Sequence, residues 1–264
     1  MVWDGGEGTE ELPVLLIHGL ASNCRTWEKT AARLQELGHP VVAIDLRGHG
    51  QSEKIDYGFD FMTLSADVLW AVAELHYDRF LIVGQSTGGN LALEIATRYP
   101  AKVAGVVGVD GGVIELQDKW PTWAACAEAL APPPLEGRAP EDVEAEIRKA
   151  HPTWDDWGVE VTMANLAVSK FLGVKPLLIR ESHMRLLESL WRQRPSTLLP
   201  DLHVPLLLLL ADTGGDTLAV TKDQAERAEG YGASVRWYSP ADHDLHVERP
   251  VEVADQVHAF AAAL

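Results

Sequence analysis

The chain has 264 residues, 47% of them hydrophobic and 23% charged, and a formal net charge of −17. That is ample for one large α/β domain with a substantial core and room for an inserted subdomain. The acidic balance, with no basic run anywhere, excludes nucleic acid and anionic membrane surfaces as natural partners, and its plainer consequence is solubility.

From Met1 to Leu12 the sequence is acidic and glycine-containing, without the basic-then-apolar pattern of a leader. The two cysteines, Cys24 and Cys126, stand far apart and form no C-x-x-C pair, which fits a reducing compartment. The apolar run Leu206 to Ala211 is far too short to span a bilayer. A cytoplasmic protein is expected.

Pro13-Val14-Leu15-Leu16-Ile17 is a continuous apolar run, as in a strand buried on both faces, and it ends at His18-Gly19-Leu20. Helical spacing of Trp27, Ala31, Leu34 and Leu37 predicts a helix over 26–37, stopped by Gly38. Val41 to Ile44 is a second buried strand, opening into Asp45-Leu46-Arg47-Gly48-His49-Gly50-Gln51-Ser52. A helix from Thr63 to about His76 follows. The next strand, Leu81-Ile82-Val83, runs into Gly84-Gln85-Ser86-Thr87-Gly88, a G-x-S-x-G spacing, and continues as a helix to Tyr99, which Pro100 ends. Turning a strand into a helix so abruptly strains the central serine and requires glycines where backbones approach closely. Ser86 Oγ would then project from the sheet edge, and the N–H of Thr87 would be free to stabilise an oxyanion. Val103 to Val109 is another strand, closing on Asp110-Gly111-Gly112.

The rhythm changes from Gly112 to Pro200. This stretch holds Trp120, Trp123, Trp154, Trp157 and Trp191 and a Pro132-Pro133-Pro134 run, with helical patterns near 141–150 and 181–191 and no convincing strand. It reads as a helical cap (112–200) inserted into a core made of 1–111 and 201–264. Most of its tryptophans are expected to cement it to the core, with one or two reaching a pocket. The sheet resumes with Val204 to Leu210, followed by Ala211-Asp212-Thr213-Gly214-Gly215-Asp216, a helix over 221–229 and a last strand over 234–238. The loop Ser239 to His246 then leads through Pro250 into a terminal helix. Strands alternating with helices predict a mostly parallel, doubly wound sheet whose ligands bind at the strands' carboxyl ends.

Four motifs in order, His18-Gly19, Asp45 to Ser52, Gly84 to Gly88 and the His243 loop, resemble the α/β-hydrolase family over nearly the whole chain. The family's N-terminal antiparallel hairpin has about a dozen residues available here, so an edge strand is expected to be missing or very short. The resemblance implies Ser86 as nucleophile and His243, between the last strand and the last helix, as its base. It gives Leu20 and Thr87 as oxyanion-hole residues through their backbone N–H groups. His18 would shape the oxyanion loop, while His49 and His246 would be structural. The acid is the open position. The family's usual G-x-x-D, in the loop after the strand of Val204 to Leu210, is altered here, with Ala211 for the glycine and Gly214 for the aspartate. Asp110, after the preceding strand, fits without an insertion and is favoured over Asp216.

Serine at the elbow argues against haloalkane dehalogenases and epoxide hydrolases, which use aspartate there. No H-E-x-x-H, Cys/His cluster or phosphate-loop lysine suggests a metal or nucleotide, and no cofactor is expected. The expected function is hydrolysis of a small carboxylic ester or lactone with an apolar moiety. Carbon–carbon bond cleavage and perhydrolysis use the same triad in relatives. A slow ligand receptor on the same fold is the rival from another class.

Overall fold

The structure is a computed structural model that describes residues 1–3, 11–215 and 217–264. In chain order the described residues form β1 (Val2–Trp3), β2 (Val14–Ile17), α1 (Glu28–Glu36), β3 (Val41–Ile44), α2 (Phe61–Glu74), β4 (Phe80–Gln85), α3 (Thr87–Arg98) and β5 (Val103–Val109). Between β5 and the next strand of the main sheet come α4 (Trp123–Leu130), α5 (Pro140–Ala150), α6 (Asp156–Met163), β6 (Leu166–Ser169), β7 (Gly173–Pro176), α7 (Arg180–Arg192) and α8 (Pro195–Leu198). The chain closes with β8 (Leu206–Ala211), α9 (Thr217–Glu229), β9 (Ser234–Tyr238), α10 (Leu245–Glu248) and α11 (Pro250–Ala261).

Seven strands make one sheet in the order β1-β3-β2-β4-β5-β8-β9. All neighbours are parallel except the two-residue β1, which pairs antiparallel with β3. The very short edge strand expected from the available length is therefore present. Side chains alternate across the pleat, so the inner strands β2, β3, β4, β5 and β8 feed two cores. Leu15, Ile17, Ile82, Val106 and Leu208 pack on one face with α2, α3 and α7, while Leu16, Val83, Val107, Leu209 and Trp27 pack on the other with α1 and α11. Burial on both faces explains why these strands read as continuous apolar runs rather than alternating ones.

The chain runs from β2 outward to β3, then crosses back to place β4 on the other side of β2. Such a reversal leaves a crevice at the strands' carboxyl ends. The segment after β2 and the elbow after β4 both open into it.

Two expectations are corrected. The segment between β5 and β8 is not purely helical, because β6 and β7 form an antiparallel hairpin in register from Leu166↔Pro176 to Ser169↔Gly173. Its strands are four residues each and mostly solvent-facing, so they lack the apolar run that marks the sheet strands. The helix expected from Thr63 starts at Phe61, because Asp60 caps it by accepting from Thr63 N at 2.9 Å. No helix of the described residues is long and apolar enough to cross a membrane.

Candidate active site

The elbow is built by close backbone packing. Ser86 sits at φ 51°, ψ −120°, between β4 and α3, and its N–H donates to the Val109 carbonyl of β5 at 3.1 Å. A Cβ on Gly84 would lie 2.2 Å from the Gly88 carbonyl oxygen, and one on Gly88 would lie 2.4 Å from the Ile17 carbonyl oxygen. Both obstacles are main chain and cannot swing away. Gly84→Ala is expected to destabilise the fold by about 1–3 kcal/mol, as overpacking does in a rigid core. A urea midpoint equal to that of the parent protein would refute this account of the elbow.

Thr87 is the first residue of α3, where helix geometry leaves N–H groups without an intrahelical acceptor. Leu20 follows β2 on the opposite wall. His18, just before it, is fully buried and held at both nitrogens: Nδ1 donates to the Gly19 carbonyl at 2.7 Å and Nε2 accepts from Leu46 N at 3.1 Å. His49 is tied in the same tautomer, with Nδ1 on the Arg47 carbonyl at 2.9 Å and Nε2 accepting from Ala21 N at 3.2 Å. Burial pushes both rings below the ordinary histidine value, His49 to about 3, so each is a neutral brace for the loop carrying Leu20.

His243 stands on the loop between β9 and α10, and its Nδ1 lies 2.5 Å from Asp110 Oδ2. The other oxygen, Asp110 Oδ1, accepts from Ala211 N at the end of β8, at 3.0 Å. Asp110 itself sits at φ 41°, a conformation few non-glycine residues adopt, with its N–H on the Leu209 carbonyl at 2.7 Å. Two neighbouring strand ends thus hold one carboxylate in a single orientation. Burial lowers the basicity of His243, but the Asp110 hydrogen bond and charge, joined by the charges of Asp244 and Asp242, outweigh it and raise the pKa from 6.5 to about 9. The side chain is 49% exposed, so water damps that rise while leaving its direction. The alternative acid, Asp216, lies outside the described residues. Asp212 turns elsewhere: it accepts from Gly214 N at 3.1 Å and from Ser239 Oγ at 3.0 Å.

Ser86, Leu20, Thr87, Asp110 and His243 all line one cavity of about 490 Å³, walled further by apolar residues including Val113, Leu187 and Leu190. A small cavity of about 150 Å³ also joins Leu20, Ser86 and His243. Trp120 borders the first and Trp154 the second, so two of the five tryptophans between β5 and β8 reach this space. Two others serve packing: Trp157 Nε1 donates to Glu28 Oε2 at 3.0 Å, and Trp191 Nε1 to the Trp120 carbonyl at 2.8 Å.

Several positioning residues carried no signal in the sequence. Gln85 Nε2 donates to the His243 carbonyl at 3.3 Å, linking elbow and histidine loop. Asn90 of α3 accepts from Gly112 N and Ile114 N at 3.0 and 3.1 Å and donates to Gln193 Oε1 at 2.8 Å, stapling both ends of the inserted segment to the elbow helix. His151 Nδ1 meets Asp242 Oδ2 at 2.5 Å and its ring stacks on Trp154, so that segment also clamps the residue next to His243. These bonds join residues 22 to 158 positions apart, a range at which local pattern is silent.

Among the described residues one group has metal-ligand spacing: Glu11, His39 and His258, whose ligand atoms lie within 4.8 Å of one another. None of the three lines the cavity that contains Ser86. His39 Nε2 and His258 Nδ1 are 2.9 Å apart, a hydrogen bond that accounts for both atoms.

A family model described as alpha/beta hydrolase fold matches residues 13–138. The 2-succinyl-6-hydroxy-2,4-cyclohexadiene-1-carboxylate synthase of Enterobacter sp. (strain 638) is 37% identical over 120 residues, which cover 45% of this chain and 44% of that protein. Matches to other curated relatives span only 29% to 35% of their length. The crystal structure of E-2-(acetamidomethylene)succinate hydrolase superposes with a TM-score of 0.76 at 20% identity, covering 99% of this chain and 98% of that one. The enol-lactonase of Burkholderia xenovorans LB400 does so at 0.70 and 21%, covering 99% and 95%. At such identities the two structures bear on the fold alone.

Proposed function

We propose that this chain, which belongs to the α/β-hydrolase fold family, is a serine hydrolase of carboxylic esters or lactones with an apolar moiety. The observation that carries the reading is the 2.5 Å contact of His243 Nδ1 with Asp110, in a cavity that both share with the strained Ser86. A hydroxyl is a poor nucleophile until a base takes its proton, and a histidine oriented by a carboxylate is such a base.

In the reaction so inferred, His243 Nε2 takes the proton of Ser86 Oγ as the oxygen attacks the substrate carbonyl carbon. The N–H groups of Leu20 and Thr87 receive the charge that moves onto the carbonyl oxygen. Collapse of the adduct breaks the bond to the alcohol oxygen, which leaves with the proton held by His243. Water then attacks the acyl-enzyme carbonyl, giving one proton to His243, and as the bond to Ser86 Oγ breaks His243 returns that proton to Ser86, leaving the carboxylic acid. Asp110 keeps Nδ1 protonated and balances the imidazolium without taking the proton. The segment 112–200 acts as a cap: its apolar side chains select the substrate and exclude water. Reaction with a fluorophosphonate and turnover of a nitrophenyl alkanoate, both dependent on Ser86, test the reading. Absence of both refutes it.

The pH dependence has a definite sign. His243 must be neutral to accept from Ser86, so kcat/KM should fall as pH drops through its pKa. The acid limb is expected above 6.5, toward the value of about 9 set by the neighbouring carboxylates. An acid limb below 6.5 would mean that the carboxylates around His243 do not raise its pKa in the working enzyme.

A further inference from the structure

Two cavities meet at Ser86 and His243. The larger, of about 490 Å³, has an apolar wall that includes Val113, Leu187 and Leu190. The smaller, of about 150 Å³, also takes in Ser22, Thr26, Gln85, Thr162, Asn165 and Asp244, so most of its lining residues are polar. At the ~30 Å³ that a water takes in the liquid, it has room for about five atoms of that size. Three of these side chains already donate to main-chain carbonyls: Thr26 to Asn23 at 2.8 Å, Thr162 to Gly158 at 2.9 Å and Gln85 to His243 at 3.3 Å. The other three hold groups in reserve. Asn23 Oδ1 accepts from Arg25 N at 2.9 Å, so the Asn23 NH₂ must face Asn165, and their 2.7 Å contact ends on Asn165 Oδ1. That leaves the Asn165 NH₂ unspent. Ser22 Oγ and the Asp244 carboxylate have no hydrogen-bond or ion-pair partner among the described residues. All three residues are half-buried, and none of these atoms is sealed from solvent. Asp244 lies deep enough for burial, the largest influence, to raise its pKa, yet it keeps open surface where it borders the small cavity.

We propose that the small cavity binds a short, hydroxyl-bearing arm of the ester, with Asp244 as its specificity-determining residue. The substrate class is then esters that join an apolar chain, held in the larger cavity, to a hydroxylated unit of about two or three carbons. This rests on the serine-hydrolase reading. A hydroxyl suits the site in either charge state of Asp244, because it can donate to the carboxylate and accept from the Asn165 NH₂. An ammonium would meet one acid and, in that NH₂, a donor turned against it. A methyl group would leave the polar groups without partners, and a site arranged for hydrogen bonds rejects such an analogue.

The test compares hydroxyethyl, propyl and dimethylaminoethyl octanoate by acid release, with octyl glycolate, propionate and dimethylglycinate for the opposite orientation. The hydroxyethyl and propyl esters, like the glycolate and propionate, differ by a hydroxyl in place of a methyl group. In one orientation the hydroxyl ester should exceed its methyl partner in kcat/KM by about tenfold, mainly through KM, since the contact lies away from the reacting atoms. In Asp244→Leu that ratio should fall about tenfold from its parent value. The ratio is the readout because the charge of Asp244 also acts on His243, an effect common to both esters that cancels between them. Asp244→Asn, which keeps a donor and an acceptor, should retain most of the preference. Neither substitution should lower the melting temperature, because the Asp244 side chain makes no cap bond to α10 and an unpaired carboxylate leaves with it. No hydroxyl preference in either orientation, or one unchanged in Asp244→Leu, overturns the proposal. So does a dimethylamino ester favoured over the hydroxyl ester and losing that advantage in Asp244→Asn, which would mark a cation site. An equal loss on all esters with a lowered melting temperature in Asp244→Leu would mark a packing residue and overturn it too. Absence of any Ser86-dependent turnover overturns the hydrolase reading and this proposal with it, whereas normal turnover without the preference overturns the proposal alone.

Discussion

Ser86→Ala is expected to lower kcat on a nitrophenyl alkanoate by about 10⁶ and to abolish fluorophosphonate labelling, with the melting temperature nearly unchanged. On the proposed mechanism, the size follows from losing the nucleophile of a triad that works as a unit, where oxyanion donors alone leave only a small residual acceleration. Unchanged stability follows from the backbone. Alanine keeps the Cβ and so bears the same strain at φ 51° that serine bears, and the N–H bond to the Val109 carbonyl remains. What disappears is one oxygen at the cavity wall. Retention of even a tenth of the parent turnover would place the chemistry on another residue.

Asp110→Asn is expected to reduce kcat by about 10⁴, the precedent for an amide replacing the acid of such a triad. Here the direction is dictated by Ala211. Its N–H donates to Asp110 Oδ1, so an asparagine would keep its oxygen there and turn its NH₂ toward His243. Nδ1 would then have to accept, the ring proton would move to Nε2, and no lone pair would remain to take the proton of Ser86. The same substitution removes the hydrogen bond and the charge that hold the His243 pKa up, so the acid limb of any residual activity should shift downward. Asp216→Asn is the companion variant and should be nearly silent. A 10⁴ loss in Asp216→Asn with Asp110→Asn unaffected would move the acid to the segment after β8 and leave Asp110 as a turn residue before Gly111-Gly112.

Legibility in the sequence followed the range of the interaction. The inner sheet strands were readable because burial on both faces demands unbroken apolar runs, and their limits agree to within a residue or so for β2, β3 and β5. Ser86 was readable because a strand-to-helix turn demands glycine where Gly84 and Gly88 meet main chain. The hairpin β6–β7 was not, because exposed four-residue strands need no apolar pattern and are held by pairing with each other. Asn90, Gln85 and His151 were equally silent. Each is a common polar residue whose task depends on a partner brought near by folding.

By itself, then, the sequence determined the alternation of strands and helices, the parallel sheet, the serine at the strand-to-helix turn and the loop positions of His243 and Asp110. All of these rest on local demands: period, burial and backbone freedom. Only the tertiary structure decided that Asp110 and His243, 133 residues apart, meet at 2.5 Å, and that Ala211 pins the second carboxylate oxygen. The physical reason is that hydrogen-bond pairing and cavity shape depend on distances between chain-remote atoms, and those exist only once the sheet has set its neighbours side by side.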